Sequence, residues 1–219
     1  MIRQAATVEG RYVRGVTSGR PDERPHRGED VAAKFTAAWE VFSRTCTAAV
    51  APEATFQAWF AHYLISQFGI DRVAREPNFG HRTMFAPSPF VGRFQGQEIK
   101  LDVVVTRRPG IDMPHWVHRR DSKHGGTALL GDLAVISELK VASTRGKGLG
   151  YTAVCRDVWK LSMLLGEADR HGLEAPLAYV CILDNAAKTK FSLTTLHEHL
   201  VKTPFDARVQ ILCHRARDQ

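Results

Sequence analysis

Two stretches decide the reading of this chain: residues 97–106, QEIKLDVVVT, and residues 131–142, GDLAVISELKVA. Both are rich in β-branched side chains and are predicted to be strands. Asp102 interrupts the first, between Leu101 and Val103-Val104-Val105; Glu138 and Lys140 interrupt the second. Alternate side chains of a strand share a face, so Glu138 and Lys140 point one way while Leu139 and Val141 point the other, into packing. If the two strands are neighbours, Asp102 lies beside Glu138.

Two adjacent, partly buried carboxylates repel unless a positive group sits between them. A divalent metal does this well: Mg²⁺ takes hard oxygen ligands, typically one or two carboxylates with water and substrate phosphate. Such an ion activates a water and neutralises charge on a phosphodiester under attack. Lys140 would orient or activate that water, or stabilise the phosphorane-like charge. A plainer reading stands beside this one: Glu138 and Lys140 form a solvated ion pair on a surface strand, and Asp102 is a turn or edge residue.

Outward from these strands, Phe56, Trp59, Phe60, Tyr63, Leu64 and Phe68 form one stripe at helical spacing, predicting a helix from Pro52 to Phe68. Pro52 and Glu53 suit its first turn and Gly69 its stop. Glu53 and Gln57 lie one turn apart on a flank of this stripe, placed to face a site together. Glu53 reads equally as a site residue and as a helix-start charge that favours the macrodipole; Gln57 reads as an ordinary polar flank. Residues 29–50 predict an earlier helix, in which spacing assigns Trp39 no role. Asp71 to Glu76 is a short candidate strand, and Glu76 a second candidate acid. Val154, Val158, Leu161 and Leu165 predict a helix over 150–171, and the unbroken apolar run 177–183, LAYVCIL, a strand covered on both faces. A helix from Thr194 to Val201 and a strand from Arg208 to Cys213 close the chain. The fold class is α/β: one domain over 29–219 with a mixed central sheet flanked by helices.

An acidic residue on one strand followed by E-x-K on the next resembles the PD-(D/E)XK nuclease superfamily, the restriction-endonuclease-like fold. Asp102 matches the first acidic position, Glu138-Leu139-Lys140 the E-x-K, and Glu53, in PEATFQAWFAHYL, the glutamate often carried by the preceding helix. The resemblance covers roughly residues 50–185. It implies an αβββαβ core and a metal-dependent nuclease that hydrolyses phosphodiester bonds, with DNA expected ahead of RNA. It further implies Mg²⁺ as cofactor with Mn²⁺ as a substitute, Asp102 and Glu138 as metal ligands, and Glu53, Asp102, Glu138 and Lys140 as the catalytic set. Nucleases of this kind often cut two strands as homodimers. Leu101 stands where the family's name-giving proline would be, and residues 107–131 lengthen the connection between the two acidic positions. The alternative is a catalytically inactive module of the same fold that binds nucleic acid or a protein partner.

The insertion 107–131 carries Arg107, Arg108, Arg119, Arg120 and Lys123, with Trp116 among them. Cations neutralise phosphates and an aromatic ring stacks on a base, so this segment reads as a nucleic-acid grip or as a solvated, mobile loop. His115 and His118 lack a third ligand for zinc. Lys147, in the glycine-rich loop 144–150, reads as a phosphate contact at a helix start or as part of a plain linker. Asp157 and Lys160, three apart beside the apolar stripe of the helix that follows, read as a surface salt bridge, with Lys160 turned toward the active face as the alternative.

Across all 219 residues, 30 Lys and Arg against 23 Asp and Glu give a net charge of +7, which favours a polyanionic partner. Residues 1–28, with six arginines and few large apolar groups, read as a poorly ordered basic arm, either a frayed tail or a phosphate contact. Glu9, Asp22 and Glu23 weigh against a transit peptide. The four cysteines show no C-x-x-C pairing and fit reduced thiols. No apolar run is long enough for a membrane span and no secretory signal is legible, so the expected location is cytoplasmic.

Overall fold

The computed structural model describes residues 28–79, 99–111, 126–142, 148–186, 190–202 and 205–216. Helix α1 spans Gly28–Thr45 and α2 spans Glu53–Phe68. Strand β1 (Val73–Arg75) and the short strands β2 (Asn78–Phe79) and β3 (Ile99–Lys100) follow. Then come β4 (Val103–Thr106), a short helix α3 (Gly126–Gly131) and β5 (Leu133–Val141). Helix α4 (Tyr151–Arg170), β6 (Leu177–Asp184), α5 (Leu193–Val201) and β7 (Val209–Arg215) complete the chain. The sheet runs β1-β4-β5-β6-β7, with β1/β4 and β4/β5 antiparallel and β5/β6 and β6/β7 parallel. The molecule is therefore mixed α/β around a five-stranded mixed sheet.

The two faces follow from side-chain parity. On β5 and β6, Val135, Leu139, Val141, Tyr179, Cys181 and Leu183 pack beneath α1 and α2. Ile136, Ala178, Val180 and Ile182 pack against α4 and α5. A parallel β5/β6 pair needs a crossover, and α4 supplies it, as α5 does between β6 and β7. Both faces of β6 are thus covered, which is why LAYVCIL shows no alternation.

Phe35, Trp39, Phe42 and Phe60 form an aromatic cluster between α1 and α2, and Phe35 stacks on Tyr179 of β6 at 4.3 Å. Trp39, which helical spacing leaves unassigned, belongs to this core. Trp59, counted in the apolar stripe, instead stands 38% exposed on the rim of α2.

Gly69 ends α2 with φ +89° and ψ 153°, and a Cβ there would lie 2.9 Å from Asp71 Oδ1. That backbone region is nearly closed to L side chains. Gly69→Ala is expected to lower stability by about 1–3 kcal/mol, measured as a shift in the urea midpoint with unchanged slope.

Several expectations are corrected. Residues 97–106 are not one strand: β3 pairs with β2 in a separate two-stranded sheet, whereas β4 pairs with β1 and β5. The break falls at Leu101-Asp102, level with Glu76-Pro77 on the paired segment, where Glu76 takes φ +50° and donates its N–H to the Asp102 carbonyl at 3.3 Å. Pro77 has no N–H to continue the ladder, and at the same level the Asp102 carboxylate accepts hydrogen bonds from Gln57 and the Leu139 N–H. Helix α1 stops at Thr45, short of residue 50. The insertion 107–131 ends in helix α3 rather than remaining loop throughout. Apart from Gly28, where α1 begins, the N-terminal arm lies outside the described residues.

All four cysteines are free thiols, Cys213 half-buried and the others buried. Burial pushes the Cys181 thiol well above its ordinary range, with the charge of Asp102 adding to it. Among the described residues, no helix is long and apolar enough to cross a membrane.

Candidate active site

The bend at Asp102 lies one step beyond the Val103–Ser137 pair of the β4/β5 ladder, on the level of Glu138. Its carboxylate is fixed from two sides. Oδ2 accepts the Leu139 backbone N–H at 2.8 Å, and Oδ1 accepts Gln57 Nε2 at 2.7 Å. Leu139 is the middle residue of the E-x-K, so Asp102 is anchored directly to that motif. Gln57 is held in turn by Arg75 Nη2, which donates to its Oε1 at 3.2 Å. Gln57 is therefore not an ordinary polar flank; it orients Asp102.

Glu53, one turn before Gln57, reaches Lys140: Nζ lies 3.4 Å from Glu53 Oε1. A carboxylate in the first turn of α2 also favours the helix dipole. Lys140 Nζ also lies 2.9 Å from Asp157 Oδ2. Glu138 is 2% exposed, and Lys160 Nζ lies 2.5 Å from its Oε1. Lys160 Nζ stands 3.5 Å from Asp157 Oδ1 and donates to the Lys100 carbonyl at 3.1 Å. Asp157 and Lys160 are thus turned inward from α4, not paired on its surface. They flank the buried stripe Val154, Val158 and Leu161, which faces the sheet. That i, i+3 acid–base pair beside a core-facing stripe was the available sequence signal; which flank faces β5 is decided by packing.

The charges act on one another strongly. Burial raises the Asp102 carboxyl above its ordinary range, against the opposing pull of Lys140, the Leu139 N–H and Lys160. Glu138 is raised well above the carboxylate range by burial, then by Asp102 and Asp157, and the two lysines only partly offset this. For Lys140 and Lys160 burial works to lower the pKa, and the surrounding carboxylates outweigh it, so both are raised. Both are ammonium groups in this arrangement. Four carboxylates, those of Glu53, Asp102, Glu138 and Asp157, share this cluster with the two lysines. Glu138 Oε1 and Asp157 Oδ2 are shielded from solvent, and each faces a lysine ammonium, Lys160 at 2.5 Å and Lys140 at 2.9 Å. Among the described residues, no group of three His, Cys, Asp or Glu side chains is set to hold a metal ion. Asp102 and Glu138 supply the hard-oxygen donor type of which Mg²⁺ commonly takes one or two with water.

The remaining candidates separate from this cluster. Arg107 and Arg108 follow the other end of β4. Arg107 is engaged with the Gly131 and Glu174 carbonyls and the Glu174 carboxylate, and Arg108 pairs with Asp132 at 3.3 Å. The structure does not bring either to the acidic cluster. Glu76 is exposed and pairs with Arg75 at 3.7 Å. Trp116, Arg119, Arg120, Lys123 and Lys147, with His115 and His118, lie outside the described residues.

No family model matches this chain, and no curated protein and no solved structure matches it.

Proposed function

We propose that this protein is a metal-dependent nuclease of the PD-(D/E)XK kind, hydrolysing phosphodiester bonds in DNA. The observation that carries this reading is the hydrogen bond from Leu139 N–H to Asp102, which binds the first acidic residue to the E-x-K. The element order α2, β1, β4, β5, α4, β6 and the strand order β1-β4-β5-β6 support the corresponding αβββαβ core.

Asp102 and Glu138 would hold Mg²⁺ or Mn²⁺, which supplies Lewis acidity toward a phosphate oxygen and an acidified water when bound. Gln57 and the Leu139 N–H keep the Asp102 oxygens in place. Lys140, held as an ammonium, provides positive charge and hydrogen-bond donors for the attacked phosphate and its water. Glu53 orients Lys140 from α2. The net basic charge of the chain favours encounter with a polyanion.

The test is cleavage of supercoiled and linear DNA, with RNA in parallel, by the purified full chain in Mg²⁺, Mn²⁺ or EDTA. Cleavage in the metals alone is expected, lost in Asp102→Ala and in Lys140→Ala. Equal cutting by either variant rejects the assignment. A second reading draws on the two ammonium groups that already stand among the carboxylates: an inactive module of the same fold. Salt-sensitive DNA binding with no metal-dependent cleavage selects it.

A further inference from the structure

Two lysines share the acidic cluster, and they are held differently. Lys140 pairs with Asp157 Oδ2 and Glu53 Oε1 while its charge also acts on Asp102 and Glu138. Lys160 lies directly on Glu138, 2.5 Å from Oε1, an oxygen shielded from solvent. It arrives from α4, a different element from either proposed ligand. It also donates to the Lys100 carbonyl at 3.1 Å, and its side chain keeps 13% exposure.

We propose that Lys160 is the resident counter-cation of the metal site: its ammonium occupies the ground beside Glu138 that a divalent ion takes, and it moves aside as that ion binds. The inference rests on the metal-dependent reading above and adds a residue that the E-x-K pattern does not contain. A +1 and a +2 centre a few ångströms apart in a half-dry pocket repel strongly. Lys160 therefore sets the metal affinity by competing for Glu138, while its pairing keeps that buried carboxylate compensated when metal is scarce. The four-carbon stem lets the ammonium swing without moving α4.

The experiment is calorimetric titration of the full chain with MgCl₂ and, separately, MnCl₂, after EDTA treatment, together with melting curves in EDTA and in metal. Lys160→Gln is expected to bind metal about tenfold more tightly or better, and Lys160→Arg, which keeps the charge, close to wild type. Lys160→Gln is also expected to melt lower than wild type in EDTA and to gain more from metal, because ligand binding raises stability in proportion to affinity. A Lys160→Gln protein that folds only when metal is added supports the proposal. Unchanged or weaker affinity in Lys160→Gln overturns it, as does failure to fold with or without metal, which makes Lys160 a structural ion-pair partner. Wild type that binds no metal overturns the nuclease reading itself; wild type that binds and cuts while Lys160→Gln binds no better overturns this inference alone.

Discussion

Asp102→Asn is expected to lower metal-dependent DNA cleavage by about a thousandfold while the protein stays folded, the order lost when one preorganised electrostatic group leaves a site. The substitution keeps the shape and removes the charge. An amide presents one oxygen where the carboxylate faces two donors, Gln57 Nε2 and the Leu139 N–H. One of the two contacts must turn donor to donor, at a cost of about 1–3 kcal/mol. Removal of a charge that burial disfavours offsets part of that cost. Circular dichroism and the melting temperature should therefore change little while the initial cleavage rate collapses. Gln57→Leu separates positioning from chemistry: the carboxylate stays, its orientation loosens, and a loss of about 10–100-fold is expected, as for a residue behind a ligand. Wild-type cleavage by Asp102→Asn removes Asp102 from the mechanism.

The largest stability effect is expected from Phe60→Ala. Phe60 is fully buried and meets Phe35, Trp39 and Phe42 at centroid distances of 5.6, 5.8 and 5.1 Å. Its removal leaves a cavity between α1 and α2 that rings anchored on two helices and the sheet cannot collapse to fill. A loss of about 3–5 kcal/mol follows, a large share of the roughly 5–15 kcal/mol that holds a domain together. Because α2 also carries Glu53 and Gln57, the variant should lose cleavage at temperatures where wild type still works. Val41→Ala, on an exposed face of α1, is the control and should change stability by less than about 0.5 kcal/mol. A Phe60→Ala midpoint as close to wild type as that of Val41→Ala would show that this cluster does not hold α1 and α2 on the sheet.

Much of the architecture was legible before any coordinates. Local period carried it: the stripe from Phe56 to Phe68, Trp59 excepted, and the uninterrupted run in LAYVCIL report burial patterns that a short window of sequence contains, Gly69 marks the stop, and the alternation in ISELKV tells which side chains share a face although both faces are buried. The parity argument for Glu138 and Lys140 is of the same kind, since it needs only the pleat. The adjacency of Asp102 and Glu138 was a conditional statement, dependent on which strands pair.

What lay beyond such windows was decided by long-range contact. The strand 97–106 looked continuous because its residues favour extended structure, yet it breaks where Glu76-Pro77 and the two donors to Asp102 meet it, and those groups come from elsewhere in the chain. Gln57, Asp157 and Lys160 give only a weak sequence signal: spacing sets Gln57 beside Glu53 and Asp157 beside Lys160, but solvated helix-surface residues show the same spacing. A helix's own period states which of its residues share a face, whereas the rotation of that face toward a strand is set by the whole core packing around it. The residues at 97–106 and 131–142 could announce that acids and a lysine share a surface; the second lysine at Glu138 and the amide behind Asp102 had to await the docking of α2 and α4 on the sheet.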